Sequence, residues 1–248
     1  MAAPAFRAVS AKTYSAPTSG NDTTVPVDAA VQNGDIMVLA FLAGSAGVGY
    51  DVNTPSGWTP FGSPLPNSVN DGSDFTLRLS LFWRKAASEP ASYTVTAPGI
   101  SGASVPRTAA LLFAVSGAKD QAPAFTFNSG TLSGPGGATS LDATALSITT
   151  PADALVAFLA HNWDLYGGSQ TVPPGTTPTF SERYKSASNL FYLATGVFAA
   201  GGATGDKVQS DVNSPANPFS ALLLSFEPAP AAAVAINPLS GRLGQPLA

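Results

Sequence analysis

His161 is the only histidine in the chain. It closes an apolar run and opens the stretch His161-Asn-Trp-Asp-Leu-Tyr166. An imidazole is the side chain best suited to exchanging protons near neutral pH, so His161 is the first candidate general base. Such a base needs a nucleophile to activate and a third group to orient it. The chain has no cysteine, which removes thiolate catalysis, disulfides and zinc–thiolate sites together. Without these partners His161 reads as a capped or half-buried residue at a strand end. Ser116-Gly-Ala-Lys119 has the S-x-x-K form of serine acylases. It follows an apolar strand-like run instead of opening a helix, and the partner motifs are missing, so it reads as a loop. Gly44-Ser-Ala-Gly-Val-Gly49 lacks G-x-G-x-x-G spacing and a following helix, and reads as a mobile loop at the end of a sandwich. Asn70-Asp-Gly-Ser-Asp74 offers oxygen atoms but not the spaced acids of a calcium loop; turn chemistry accounts for it, and no metal is expected. Glu89 and Glu182 lie far apart and do not suggest a paired acid and base. The chain is therefore expected to be no enzyme and to use no cofactor.

Binding is the chemistry that remains. Trp163, Asp164 and Tyr166, with Asn162 beside them, combine ring faces with carboxylate and amide groups. Sugars are held that way, by stacking on aromatic faces and hydrogen bonding to hydroxyls. These three residues are the candidate glycan site. The competing reading is packing against the end of the fold or against a neighbour. Trp58 and Trp83 read as core.

The elements that must position these residues are strands. Proline and glycine, 22 and 24 of the 248 residues, recur too often for long helices. In Phe75-Thr-Leu-Arg-Leu-Ser-Leu-Phe-Trp-Arg84, the residues Phe75, Leu77, Leu79, Leu81 and Trp83 share one face. Thr76, Arg78, Ser80 and Arg84 share the other, and Phe82 is the exception. That pattern predicts a strand with one buried face. Tyr93-Thr-Val-Thr-Ala97 alternates too. Residues 36–43, 109–115, 155–160, 190–198 and 221–226 are short, largely apolar runs bounded by turn residues, which predicts strands buried on both faces.

These runs also echo one another. Gly34-Asp-Ile-Met-Val-Leu-Ala-Phe-Leu42 matches Ala152-Asp-Ala-Leu-Val-Ala-Phe-Leu159 in kind, and Ala109-Ala-Leu-Leu-Phe-Ala-Val115 matches Ser220-Ala-Leu-Leu-Leu-Ser-Phe226. The expected fold class is all-β: an antiparallel β-sandwich of jelly-roll type, built from two related halves, 1–118 and 119–227. Two immunoglobulin-sized sandwiches are the alternative.

Charged residues make up 10% of the chain, against roughly a quarter in an average globular protein. So little charge suggests a surface largely covered by neighbours. The net charge is −4 and the basic residues are scattered, which argues against nucleic acid and against a membrane surface. No run approaches the roughly 18 apolar residues of a membrane helix, and the start of the chain shows no signal-peptide core. Synthesis in the cytoplasm is the expectation. Residues 228–248 are rich in proline and alanine, with Val234, Ile236, Leu239, Leu243 and Leu247 spaced among them. They are expected to form an extended arm that docks on a neighbouring subunit.

An ordered series of short motifs runs through the chain. It comprises Gly34-Asp-Ile-Met-Val-Leu, Thr54-Pro-Ser-Gly-Trp-Thr59 and Leu81-Phe-Trp-Arg-Lys-Ala-Ala-Ser-Glu-Pro-Ala-Ser-Tyr-Thr94. It continues with Ala109-Ala-Leu-Leu-Phe-Ala, Phe180-Ser-Glu-Arg183 and Gly201-Gly-Ala-Thr-Gly-Asp-Lys207. The series, over roughly residues 20–227, resembles a β-rich module of tailed-bacteriophage virion proteins of the minor tail or decoration type. It departs from that pattern before Phe180, where a Pro-x-Gly is missing. The resemblance implies a virion structural protein, either a capsid decoration protein or a tail-associated subunit. Its partners would be other virion proteins and copies of itself, and it would be made in the host cytoplasm. A carbohydrate-binding or adhesin module that recognises a host glycan is the alternative.

Overall fold

The computed structural model describes residues 3–15, 22–46, 48–49, 52–62, 68–70, 75–97, 107–132, 141–162, 177–186, 191–211 and 217–231. Among the described residues there is no helix. The first stretch of chain holds β1 (Ala5–Ser15), β2 (Asp22–Pro26), β3 (Ile36–Ala46), β4 (Val48–Gly49), β5 (Thr59–Pro60), β6 (Ser68–Asn70), β7 (Phe75–Lys85), β8 (Ser92–Thr96) and β9 (Arg107–Ser116). The second holds β10 (Ala124–Leu132), β11 (Leu141–Ala145), β12 (Thr149–Thr150), β13 (Ala154–Asn162), β14 (Ser181–Lys185), β15 (Phe191–Phe198), β16 (Gly202–Ala203), β17 (Lys207–Asp211) and β18 (Asn217–Phe226). All the pairings are antiparallel. The runs read as strands from the sequence fall on β3, β7, β9, β13, β15 and β18.

Two large sheets result. One is ordered β1-β9-β3-β7-β5, with β4 and β6 at its margins; the other is ordered β10-β18-β13-β15-β14. Each takes its strands from a single stretch of chain. A jelly-roll winding would pass successive strands back and forth between the two large sheets, and the pairing does not do so among the described residues.

The alternation of side chains explains how the layers stack. Along β3, Ile36, Val38, Ala40 and Leu42 point one way and join Leu155, Ala157, Leu159, Leu222 and Leu224 of the other sheet in one buried cluster. Phe113 meets Phe226 edge-on across this space, at 6.1 Å between centroids. The alternate residues Met37, Leu39, Phe41 and Ala43 point outward, to Val25 and Val95 of the β2–β8 ribbon. The second sheet repeats the arrangement, because Val156, Phe158, Ala160 and Leu223 face Ala145 of the β11–β17 ribbon. The order of layers is ribbon, sheet, sheet, ribbon. Each buried Leu or Phe contributes about 1.5–3 kcal/mol, so a run that is apolar on both faces is stable only with cover on both.

This stack corrects the reading of β7. Its polar face was expected to meet solvent, yet Phe82 on that face is buried in the outer cluster under the ribbon. The exception in the alternation marks the second cover. Gly44-Ser-Ala-Gly-Val-Gly49 is also corrected. Gly44 pairs with Gly49 and Ser45 with Val48, so the segment carries β3 into a hairpin and is not a free loop.

Glycine chemistry sets two positions. Gly34 turns the chain into β3 at φ 92°, with open space around it. Gly196 lies within β15, where a Cβ would land on the Thr179 carbonyl oxygen. A backbone carbonyl cannot swing aside as a side-chain tip can. Gly196→Ala is therefore expected to cost about 2–3 kcal/mol, as an overpacked core site does, and Gly34→Ala about 1 kcal/mol for its left-handed backbone. Urea midpoints measure both. The same loss in the two variants would contradict the packing at Gly196.

Candidate functional site

The richest cluster of polar and aromatic chemistry among the described residues surrounds Arg84. Strand β7 delivers Arg84 to its outer face, the turn after Pro55 brings Trp58 beneath it, and β8 supplies Tyr93. The Arg84 guanidinium carbon lies 5.8 Å from the Trp58 ring centre and 5.5 Å from that of Tyr93. The two rings meet edge to face at 5.1 Å. Arg84 donates from Nη1 to the Tyr93 hydroxyl at 2.7 Å, and its Nη2 stands 3.2 Å from Glu89 Oε1. The Tyr93 hydroxyl donates to Glu89 Oε2. Glu89 also accepts from the Ala87 amide at 2.6 Å, which holds the turn in which Ser88 has a φ of 55°. Burial and the Glu89 carboxylate both push the Tyr93 phenol above its ordinary range.

This arrangement is a cation held in an aromatic niche, with the niche filled from within the chain. Gly57 makes it possible, since a Cβ there would stand 3.3 Å from Arg84 Nη1. Most of the donors and acceptors fix two loops to a strand, while the buried Trp58 Nε1 and Arg84 Nε have no hydrogen-bond partner among the described residues. It is a scaffold lock with no free acid, base or nucleophile at its surface.

Several other polar groups are committed to structure. Asp35 is buried at the mouth of β3; it accepts from Arg7 at 2.9 Å and from the Gln32 amide at 2.9 Å. That pair fastens β1 to the turn before β3. Ser116 donates to the Ala5 carbonyl, and Lys119 pairs with Glu227 at 3.1 Å, so the S-x-x-K residues serve the backbone and a surface ion pair. Lys207 is buried, donates to the Thr177 carbonyl at 3.0 Å, and is shifted down by burial.

His161 ends the inner-face series of Leu155, Ala157 and Leu159 on β13, opposite Phe191 and Ser220. It is fully buried, and its Nε2 has no hydrogen-bond partner among the described residues. Burial pushes the imidazole down to about 3. It is a neutral core residue at the working pH of most proteins, and Phe191, 6.0 Å away, packs beside it.

Trp163, Asp164 and Tyr166 lie outside the described residues, as do Asp71, Asp74, Val234, Ile236, Leu239, Leu243 and Leu247. Among the described residues, no group of three or more His, Asp or Glu could hold a metal ion. No helix among the described residues is long and apolar enough to cross a membrane.

Sequence reading treated Trp58, Arg84, Glu89 and Tyr93 as separate positions. The signal that joins them is the glycine before Trp58 together with an arginine on a face that also carries Phe82. In the second sheet Thr195 pairs with Ser181 as Trp83 pairs with Thr59, and Val156 pairs with Gly196 as Met37 pairs with Arg84. Phe180 thus takes the register position of Trp58, and Gly196 that of Arg84. The glycine sits on the neighbouring strand, where it admits the Thr179 backbone.

Comparison with protein-family models, with curated proteins and with solved structures finds no match.

Arg84→Met should lose about 3 kcal/mol in urea unfolding, because it strands the buried Glu89 carboxylate. Adding Glu89→Gln should recover part of that loss. If the double variant is as unstable as the sum of the two single variants, the groups do not form a lock.

The histidine gives a pH prediction. Unfolded, it titrates near its ordinary 6.5; folded, near 3. Between those values the unfolded chain binds the extra proton, so the neutral imidazole's contribution is full above pH 6.5 and shrinks as pH falls towards 3. At pH 5 the loss is about 2 kcal/mol. Leu42 pairs with Ala109 as His161 pairs with Ser220, so leucine suits this position. His161→Leu should remove the decline in stability between pH 7 and 5. A decline of equal size in both proteins would show that other groups cause it.

Proposed function

We propose that this chain is a structural protein of a tailed-bacteriophage virion, a capsid decoration or tail-associated subunit that acts through protein–protein contacts and catalyses nothing. One observation carries the reading. Two motifs of the series that resembles the virion module supply the Trp58–Arg84–Glu89–Tyr93 lock, where most of the polar chemistry goes into holding loops to a sheet. A module recognisable by scaffold residues is one whose job is to keep a shape. Its partners are other virion proteins and copies of itself.

The same reading takes residues 1–118 and 119–227 as two related halves. Three features support it. The two large sheets have matching strand orders. The central pairs share a register, Ile36 with Val115 and Leu155 with Phe226. Ser10 donates from its side chain to the Pro26 carbonyl as Thr126 does to that of Leu146.

The arm begins later than residue 228. Pro228 pairs with Ala118, and the Ala229 amide donates to the Gly117 carbonyl at 2.8 Å, so both belong to the body. Truncation after Ala231 should therefore leave a folded protein of unchanged melting temperature that no longer enters particles. Quantitative mass spectrometry of purified virions, with electron microscopy to place the chain, tests the proposal. Absence of the full-length chain from purified particles would refute the virion role. Normal incorporation of the truncated chain would refute only the role of the arm.

A further inference from the structure

Strands at the margins of a sheet carry unpaired amides and carbonyls, and proteins guard them with bulges, charges or proline. Three margins of the two large sheets are guarded here. β1 has register shifts after Phe6 and after Lys12, and carries Arg7 and Lys12. β14 is Ser181-Glu-Arg-Tyr-Lys185 with a shift after Glu182. β5 is two residues long and ends in Pro60.

The fourth margin, β10, has none of these. It runs for nine residues, Ala124–Leu132, with neither charge nor proline. Its register with β18 is unbroken from Ala124 to Leu132. Phe125 and Phe127 pack against the inner core from this margin and are only partly buried. Leu146, 44% exposed, sits beside it, its carbonyl bonded to Thr126. Among the described residues, a partly covered core edge, a strand with neither charge nor proline and an exposed leucine coincide.

We propose that the outer edge of β10 receives residues 231–237 of a second copy of this chain as an added strand. The inference rests on the arm reading above and names its receptor. The segment Ala231-Ala-Ala-Val-Ala-Ile-Asn237 holds no charge and no proline, and it alternates. With Ala235 opposite Asn128, Val234 and Ile236 fall on the face that carries Phe125 and Phe127, and the small Ala233 and Ala235 fall on the other, with Thr126 and Asn128. Backbone pairing supplies the affinity, and the alternate apolar side chains set the register. The chain leaves the body at Ala229, at the end of the sheet where Ala124 faces Ser225. To reach its own β10 it would have to reverse at once. The turn residues from 228 to 236 are Pro228 and Pro230, and Pro228 and Ala229 are already paired with Ala118 and Gly117. A neighbour's edge needs no reversal.

The chain has no cysteine, so disulfide trapping is free of background. Residues facing each other on paired strands stand about 4.5–5.5 Å apart, close enough to bridge. Full-length Asn128→Cys protein is mixed with full-length Ala235→Cys protein and oxidised gently. The expected result is a mixed disulfide dimer on a non-reducing gel, abolished by excess peptide spanning 231–237. Arg183→Cys, on the guarded β14 edge, should give no such band with Ala235→Cys. No cross-link to position 128, or equal cross-linking to 128 and 183, overturns the proposal. So does a double variant, Asn128→Cys with Ala235→Cys, that closes within one chain at high dilution. The experiment uses purified protein alone. Chains that enter virions but do not cross-link would sink the β10 site and leave the virion role standing.

Discussion

The central strands β3, β9, β13 and β18 are apolar on both faces, and everything else in the molecule follows from covering them. One face of each sheet is covered by the other sheet. The outer face then needs a further layer, and short ribbons provide it: β2 with β8 on one side, β11 with β17 on the other. A ribbon of a few residues buries little by itself and is not stable alone. It has to be tied down by specific contacts. The Thr23–Thr108 bond at 2.6 Å, the Thr150–Ser225 bond and the Arg84 lock all join a ribbon or a loop to a sheet.

Buried polar groups in this protein are therefore a consequence of its layering. A loop that crosses the outer face cannot bury enough hydrocarbon to stay put, so it is held by charge-assisted bonds shielded from water. The two sheets solve this differently at matching positions. One keeps a long arginine and places glycine in the loop above it; the other keeps the loop side chain and places glycine in the strand, at Gly196. Close approach is needed in both. Only the partner that gives up its side chain differs.

Much of this was legible in the sequence, and the illegible part has a physical cause. Strand positions follow from alternation in β7 and from apolar runs bounded by turn residues in β3, β9, β13, β15 and β18, so these could be read directly. The echoing residues 34–42 and 152–159 fall largely on central strands, but the register sets Leu42 level with His161 and not with Leu159, its match in the sequence. The outer cover could not be read as easily. Whether the second face of β7 meets water depends on β2 and β8, which lie before and after it in the chain, and only Phe82 betrays the answer. Trp58, Arg84, Glu89 and Tyr93 look like ordinary core and surface residues until the fold brings them together. The glycan candidates Trp163, Asp164 and Tyr166 lie outside the described residues.

The short ladder between Ala118 and Pro228 has a mechanical meaning. Ala229 is bonded to Gly117, Lys119 to the Glu227 carbonyl, and Pro4 lies beside Gly117. The segment that joins the two sheets is therefore the anchor point for the end of the described chain. A pull applied beyond Ala231 does not peel β18 from its sheet one bond at a time. It is delivered first to the junction, where it divides between β9 and β10 and so between both sheets. An antiparallel ladder loaded along its length must break its bonds together, which is the strong direction for such a joint.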